Sequence, residues 1–225
     1  MPAEQFQRNI PAITEEEQAR LRKSHVCVAG CGGLGGFSIE YLARIGIGCL
    51  TVIDGDRFET SNMNRQILCT ADTMDCLKAE AAAERVRKIC PETEVRIRGL
   101  FLDKSNAETL LDGTDLVIDA LDSVPDRLLL AETCRKRKIP LVHGAVQGWN
   151  AQIAVIFPES RTMEQLYGDM EMSSEKACLS FTPALCAAIQ CAEAVKILTG
   201  REPVLKSRIL HADLRYMEFD TIPLL

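Results

Sequence analysis

Short apolar runs alternate with longer helical patterns through most of the chain. His25-Val26-Cys27-Val28-Ala29 is an apolar run ended by glycines, which predicts a buried first strand. Helical spacing follows over residues 37–45, and Cys49–Ile53 predicts a second strand whose end delivers Asp54. Upstream, residues 15–23 are polar and helical. Residues 71–90 are rich in Ala, Glu, Arg and Lys, predicting a strong helix stopped by Pro91, with Lys78 in its first turns. Further strands are expected at Glu94–Arg98, 115–120 and 140–145, with helices at 106–111 and 125–136. This alternation predicts an α/β fold: a Rossmann-like, doubly wound, mainly parallel sheet.

The pattern changes after residue 148, because the strand at 151–157 follows another strand with no helix between them. A more antiparallel C-terminal half is therefore expected. Residues 160–176 are polar, dotted with methionines and aperiodic, so they read as a long surface loop. A small-residue helix is predicted at 183–198, with Gly200 suited to its C-terminal end, and 208–212 with 215–222 resemble a closing hairpin. The expected organisation is one domain over 1–225, with a helical arm at 1–24, a nucleotide-binding half at 25–148 and a second half at 149–225.

Composition narrows this picture. At 225 residues and 47% hydrophobic, the chain can bury one sizeable core. A net charge of −6 and the lack of a basic run argue against a nucleic-acid partner. No apolar run approaches the roughly 20 residues needed to cross a bilayer, and the N-terminus lacks the pattern of an export signal, so no membrane partner and a cytoplasmic location are expected. The ten cysteines include no Cys-x-x-Cys pair, so most read as small buried hydrophobes and no zinc is expected.

The chemistry follows the glycines. Gly30, Gly32 and Gly35 have the G-x-G-x-x-G spacing between a strand and a helix, suited to a tight turn, close approach to phosphate and an anion at the helix N-terminus. Asp54, at the end of the second strand, can accept ribose hydroxyls; the alternative is a capping role. Arg65 and Lys78 matter most, because a leaving pyrophosphate develops charge that cations must stabilise, whereas a dinucleotide needs little beyond glycines and a helix end. Asp122 follows the apolar strand 116–120 at the carboxyl edge of the sheet, where Mg²⁺ bound to phosphates needs an oxygen ligand. Asp119 could share that role or sit in the strand as a structural acid.

Taken with Gly33, Asp54-Gly55-Asp56, Ser61-Asn62-Met63-Asn64-Arg65-Gln66, Arg127, residues 144–148 and residues 193–200, this ordered set resembles the ubiquitin-activating-like adenylyltransferase family (ThiF, MoeB and HesA types) over nearly the whole chain. The resemblance implies ATP- and Mg²⁺-dependent adenylylation of the C-terminal glycine of a small ubiquitin-like sulfur carrier ending in Gly-Gly. It implies Gly30, Gly32, Gly33, Gly35, Asp54, Asp56, Asn62, Arg65, Gln66 and Lys78 at the nucleotide, and Asp122 at the metal. Arg8 resembles an arginine that reaches across a homodimer, and 149–225 would be the carrier-binding half. Cys178 lies near where relatives place a thioester or persulfide cysteine, although nothing around it in sequence supplies a base or cation.

The chain departs from the family pattern at several points. The paired cysteines of zinc-bearing members are missing, Asp75 replaces a usual glycine and reads as a helix cap, Asn9 stands where glutamine is commoner, and Trp149-Asn150 follow Gly148. Other readings remain open: an NAD-dependent oxidoreductase on the same glycine loop, a non-catalytic scaffold for a ubiquitin-like partner, or activation of a small-molecule or tRNA carboxylate.

Overall fold

A computed structural model describes residues 4–160, 162–167 and 177–224. In chain order the elements are α1 (Glu15–Leu21), β1 (His25–Ala29), α2 (Gly33–Ile45), β2 (Cys49–Ile53), α3 (Lys78–Ile89), β3 (Glu94–Arg98), α4 (Ala107–Leu110) and β4 (Leu116–Asp119). They continue with α5 (Val124–Arg137), β5 (Leu141–Gln147), β6 (Asn150–Ile156), α6 (Thr162–Tyr167), α7 (Phe181–Thr199), β7 (Arg208–Asp213) and β8 (Glu218–Pro223). One eight-stranded sheet runs in the order β3-β2-β1-β4-β5-β6-β7-β8. The first five are parallel, and β6, β7 and β8 add antiparallel. The strand order reverses between β1 and β4, and in open α/β sheets ligands bind outside the carboxyl ends of strands at such a point.

Strand alternation divides the core in two. Val26 and Val28 of β1 join Leu116 and Ile118 of β4 beneath helices α1, α2, α3 and α7. Cys27 and Ala29 join Val117 on the opposite face, covered by α4, α5 and α6. All five β1 residues are buried, as expected of a central parallel strand without polar alternation.

Four elements differ from the expectations above. Within 71–90, only Lys78–Ile89 is α-helix, preceded by a short 3-10 turn at Ala71–Thr73. Asp75 does not cap it: with φ of 61° it occupies a left-handed turn, which explains the suitability of glycine there and the tolerance of aspartate. The proposed loop 160–176 contains α6, which buries Thr162, Met163 and Tyr167; the remainder, 168–176, lies outside the described residues. Finally, Phe181–Thr199 is long and apolar enough to cross a membrane by length and composition alone. This is the helix expected at 183–198; it packs on α2, β5 and β6, burying Gln190 and Glu193 along with Cys186, Ala187, Cys191 and Ala194.

Helices α2 and α3 are tied by a buried carboxylate. Glu40 is 5% exposed and accepts hydrogen bonds from Arg85 of α3 and from Arg44 one turn along α2. Burial raises the Glu40 carboxyl, but those guanidinium hydrogen bonds outweigh it and leave the group below its ordinary 4.5. A lowered folded-state value means the stabilisation is fully present above pH 4.5 and is lost as pH falls through that lowered value. Glu40→Gln should therefore cost about 2 kcal/mol at neutral pH, and thermal melts of native and variant proteins should converge as pH is lowered below 4.5.

Candidate functional site

The carboxyl edge at the β1/β4 reversal is built by backbone contacts too close for side chains. A Cβ on Gly35 would lie 1.8 Å from the Gly30 carbonyl oxygen, and one on Gly30, whose φ is +97°, would lie 2.5 Å from the Ala120 carbonyl oxygen. Helix α2 thus begins hard against the ends of β1 and β4. By contrast, Cβ atoms on Gly32 and Gly33 would meet nothing closer than 3.5 Å, from Gln66 and from Arg65 and Pro183. Those two glycines leave a cradle over the N-terminus of α2. Gln66 is 6% exposed and its Oε1 has no partner beside that loop. An amide oxygen only accepts, so this atom fits a ligand hydroxyl or a water, while the N-terminus of α2 is the feature that attracts an anion.

The acidic and basic residues meet beside this cradle. Asp54 accepts the Cys31 amide at 2.7 Å and the Asp56 amide at 2.9 Å, fixing the carboxylate under the glycine loop. Burial pushes its carboxyl up, countered by these amides and by Lys78. Lys78 opens α3 at 6% exposure, its Nζ 2.5 Å from Asp56 and its amide donating to the Asp56 carbonyl. The Lys78 hydrogen bond, opposed by burial, holds the Asp56 carboxyl below the usual range. Arg65 lies across the loop, donating to the Ser61 carbonyl and Asn64 Oδ1 at 2.8 Å each. Asn62 is buried, its Oδ1 accepting the Glu59 amide, so it shapes the turn that presents Arg65.

On the other side stands the β4 terminus. Asp122 is exposed just beyond β4, while Asp119 is fully buried with both oxygens committed, to the Leu121 amide and to His143. No group of three or more His, Cys, Asp or Glu is placed to hold a metal among the described residues. One carboxylate at a phosphate site fits Mg²⁺, which takes its remaining ligands from substrate phosphates and water.

One candidate falls elsewhere. Arg8 sits in the turn Glu4–Asn9, whose Phe6 ring packs against Gly46 at the far end of α2. The 13 residues of α2, about 20 Å of helix, separate it from its own glycine loop. Cys178 is brought to the site: it bridges Gly148, and Asn64 donates to its carbonyl. Burial pushes the thiol up, opposed by the charge of Arg65, a cation that sequence proximity did not reveal. The sequence reading also missed the polar core beneath Asp122. Tyr167 falls within the segment expected as loop, and Arg127 enters through resemblance alone.

A family model described as the ThiF family matches residues 5–224. The chain is 37% identical over 217 residues to the "SAMP-activating enzyme E1" of Haloferax volcanii, covering 94% of this chain and 80% of that protein. It is 31% identical over 220 residues to the "Sulfur carrier protein adenylyltransferase" of Thermus thermophilus, covering 91% and 80%. Among solved structures, E. coli tRNA N6-threonylcarbamoyladenosine dehydratase in complex with ATP superposes with a TM-score of 0.74 at 28% identity, over 87% of this chain and 94% of that one.

The two kinds of glycine should separate experimentally. Gly35→Ala forces a backbone clash and should destabilise the protein by about 3 kcal/mol or more. Gly33→Ala should shift the melting temperature by no more than about 2 °C while weakening ATP binding, since the methyl group enters only the cradle. Melts with and without ATP check both; a Gly33→Ala protein that ATP stabilises as fully as the native one would contradict the cradle assignment.

Proposed function

The chain belongs to the ThiF family, and from that premise we propose that it uses ATP to adenylylate the C-terminal carboxylate of a small ubiquitin-like sulfur carrier protein. The observation that carries the reading is the meeting at one strand reversal of a glycine-lined helix end, a buried lysine and an exposed aspartate. A dinucleotide site would need the first of these and not the others.

In this reading the N-terminus of α2 and Gly32 and Gly33 receive the phosphates, and Asp54 takes the ribose hydroxyls. Lys78 leaves its contact with Asp56 for the phosphates, an exchange favoured by the greater charge there, and Arg65 adds a second cation. Asn62 and Gln66 complete the wall behind the nucleotide. Asp122 would hold Mg²⁺, which supplies charge neutralisation at the leaving pyrophosphate. The carrier's carboxylate is already ionised at neutral pH, so the chain needs no side-chain base. It needs cations that screen the approach of one anion to another and a channel that aligns the attack on the α-phosphorus. One oxygen of the carboxylate bonds to that phosphorus as the bond to pyrophosphate breaks, giving the acyl-adenylate. Cys178 is a secondary candidate for accepting the activated acyl group.

The protein is expected to exchange labelled pyrophosphate into ATP only with Mg²⁺ and a carrier ending in Gly-Gly. Arg65→Ala or Lys78→Ala should slow exchange about 100-fold, in keeping with roughly 3 kcal/mol for one preorganised phosphate contact, with the fold intact. Exchange that persists after removal of the carrier's last glycine, or that depends instead on tRNA, would overturn the substrate assignment.

Through its resemblance to the family's N-terminal arginine, and in keeping with its distance from its own site, Arg8 is assigned to the partner's nucleotide in a homodimer. Arg8→Ala and Lys78→Ala proteins, each poorly active, should recover activity when mixed, because a mixed dimer has one site free of both defects. No recovery after verified subunit exchange would refute the trans assignment.

A further inference from the structure

Leu121, the residue before Asp122, is held on both sides by a closed circuit of hydrogen bonds. Its amide donates to Asp119 Oδ1 at 3.0 Å, and its carbonyl accepts Arg127 Nε at 2.9 Å and Nη2 at 2.7 Å. The remaining links join those two anchors through the interior. Arg127 Nη1 donates to the Tyr167 hydroxyl at 3.1 Å, that hydroxyl meets His143 Nε2 at 2.9 Å, and His143 Nδ1 meets Asp119 Oδ2 at 2.7 Å. The members come from β4, α5, β5 and α6. Asp119 and His143 are paired across adjacent strands and fully buried, and Tyr167 is 8% exposed.

The chemistry of the end groups fixes the direction of every link. Arginine only donates, and an ionised carboxylate only accepts. Tyr167 has a single proton, and burial pushes its phenol up, so it stays neutral. It accepts from Arg127 through a lone pair, and His143 Nε2 is the one acceptor the circuit offers its proton, so it donates there. His143 is then the neutral Nδ1–H tautomer, which donates to Asp119. Each buried proton in the circuit has a partner, and the charges at its two ends balance.

We infer that this circuit aims Asp122, and that Tyr167 and His143 are positioning residues for the carboxylate that would face the metal ion at the triphosphate. This rests on the reading of Asp122 given above. With the Leu121 amide and carbonyl both pinned, the chain leaves Leu121 in one direction. Neither Tyr167 nor His143 touches the nucleotide in this assignment; they act through Arg127 and Asp119 on one residue of backbone.

Tyr167→Phe tests this by removing a single hydroxyl, which strands His143 Nε2 and Arg127 Nη1. Partners of this outer kind are worth about 10- to 100-fold in metal affinity. Mg²⁺ for half-maximal exchange should therefore rise about 10-fold, with KM for ATP changed by less than about 2-fold. Amide hydrogen exchange at Leu121, read without substrate, should accelerate. An unchanged Mg²⁺ requirement, or an unchanged Leu121 amide in a folded variant, overturns the inference. Should the native enzyme show no carrier-dependent exchange, the functional reading fails by itself, and Mn²⁺ titration and the Leu121 amide decide this one. Should Tyr167→Phe fail to fold, nitrogen shifts of His143 in the native protein decide. The Nδ1–H tautomer at neutral pH is expected, and an Nε2–H form or an imidazolium overturns it.

Discussion

Everything at the carboxyl edge depends on one close approach, that of Gly35 in α2 to the carbonyl of Gly30. Because a side-chain carbon would lie 1.8 Å from that oxygen, only glycine lets α2 start so soon after β1. The same compactness sets Gly30 against Ala120, which locks the end of β1 to the end of β4. It also turns the Cys31 amide toward Asp54. A helix displaced by even one side chain would carry its positive end away from both carboxylates. In our account the position of the nucleotide site is therefore a packing consequence of the sheet, and the chemistry is laid over it.

Charge is stored at this site before any ligand arrives. Lys78 is a buried cation at the start of α3, held by exposed Asp56, while Asp54 is retained by backbone amides with its carboxyl pushed up by burial. A buried cation beside an exchangeable partner is already desolvated, so anionic phosphates meet it without first removing its water. On the opposite bank, Asp119 is consumed by internal bonds and Asp122 faces outward. These two aspartates, three residues apart, have divided roles: one organises the turn, and in our account the other meets the metal.

The parallel half of the sheet was legible because β1, β2 and β4 are buried on both faces and so are apolar without interruption. The glycine loop was legible because its spacing is a steric requirement. Asp75 was misread because a left-handed turn and a helix cap draw on the same polar residues. The helix α6 was missed since its three inward residues, Thr162, Met163 and Tyr167, are too few and too mixed to make a period. The circuit around Leu121 was invisible for a different reason: its members are distant in sequence, and no local pattern marks a buried histidine as the link between a tyrosine and an aspartate. Resemblance alone brought Arg127 and Arg8 into view, and geometry then gave them opposite places, one beneath the site and one at the far end of α2.

The central claim is that a carrier carboxylate attacks the α-phosphorus of ATP at this edge. A carrier whose terminal carboxylate is labelled with ¹⁸O tests it directly. After attack and release of the acyl group to a thiol, the oxygen that bonded to phosphorus stays with the nucleotide, so the account predicts AMP carrying one ¹⁸O for each turnover. ADP together with ¹⁸O in inorganic phosphate would show attack at the γ-phosphorus, and AMP without label would show that the carboxylate never joined the nucleotide; either result would contradict the account.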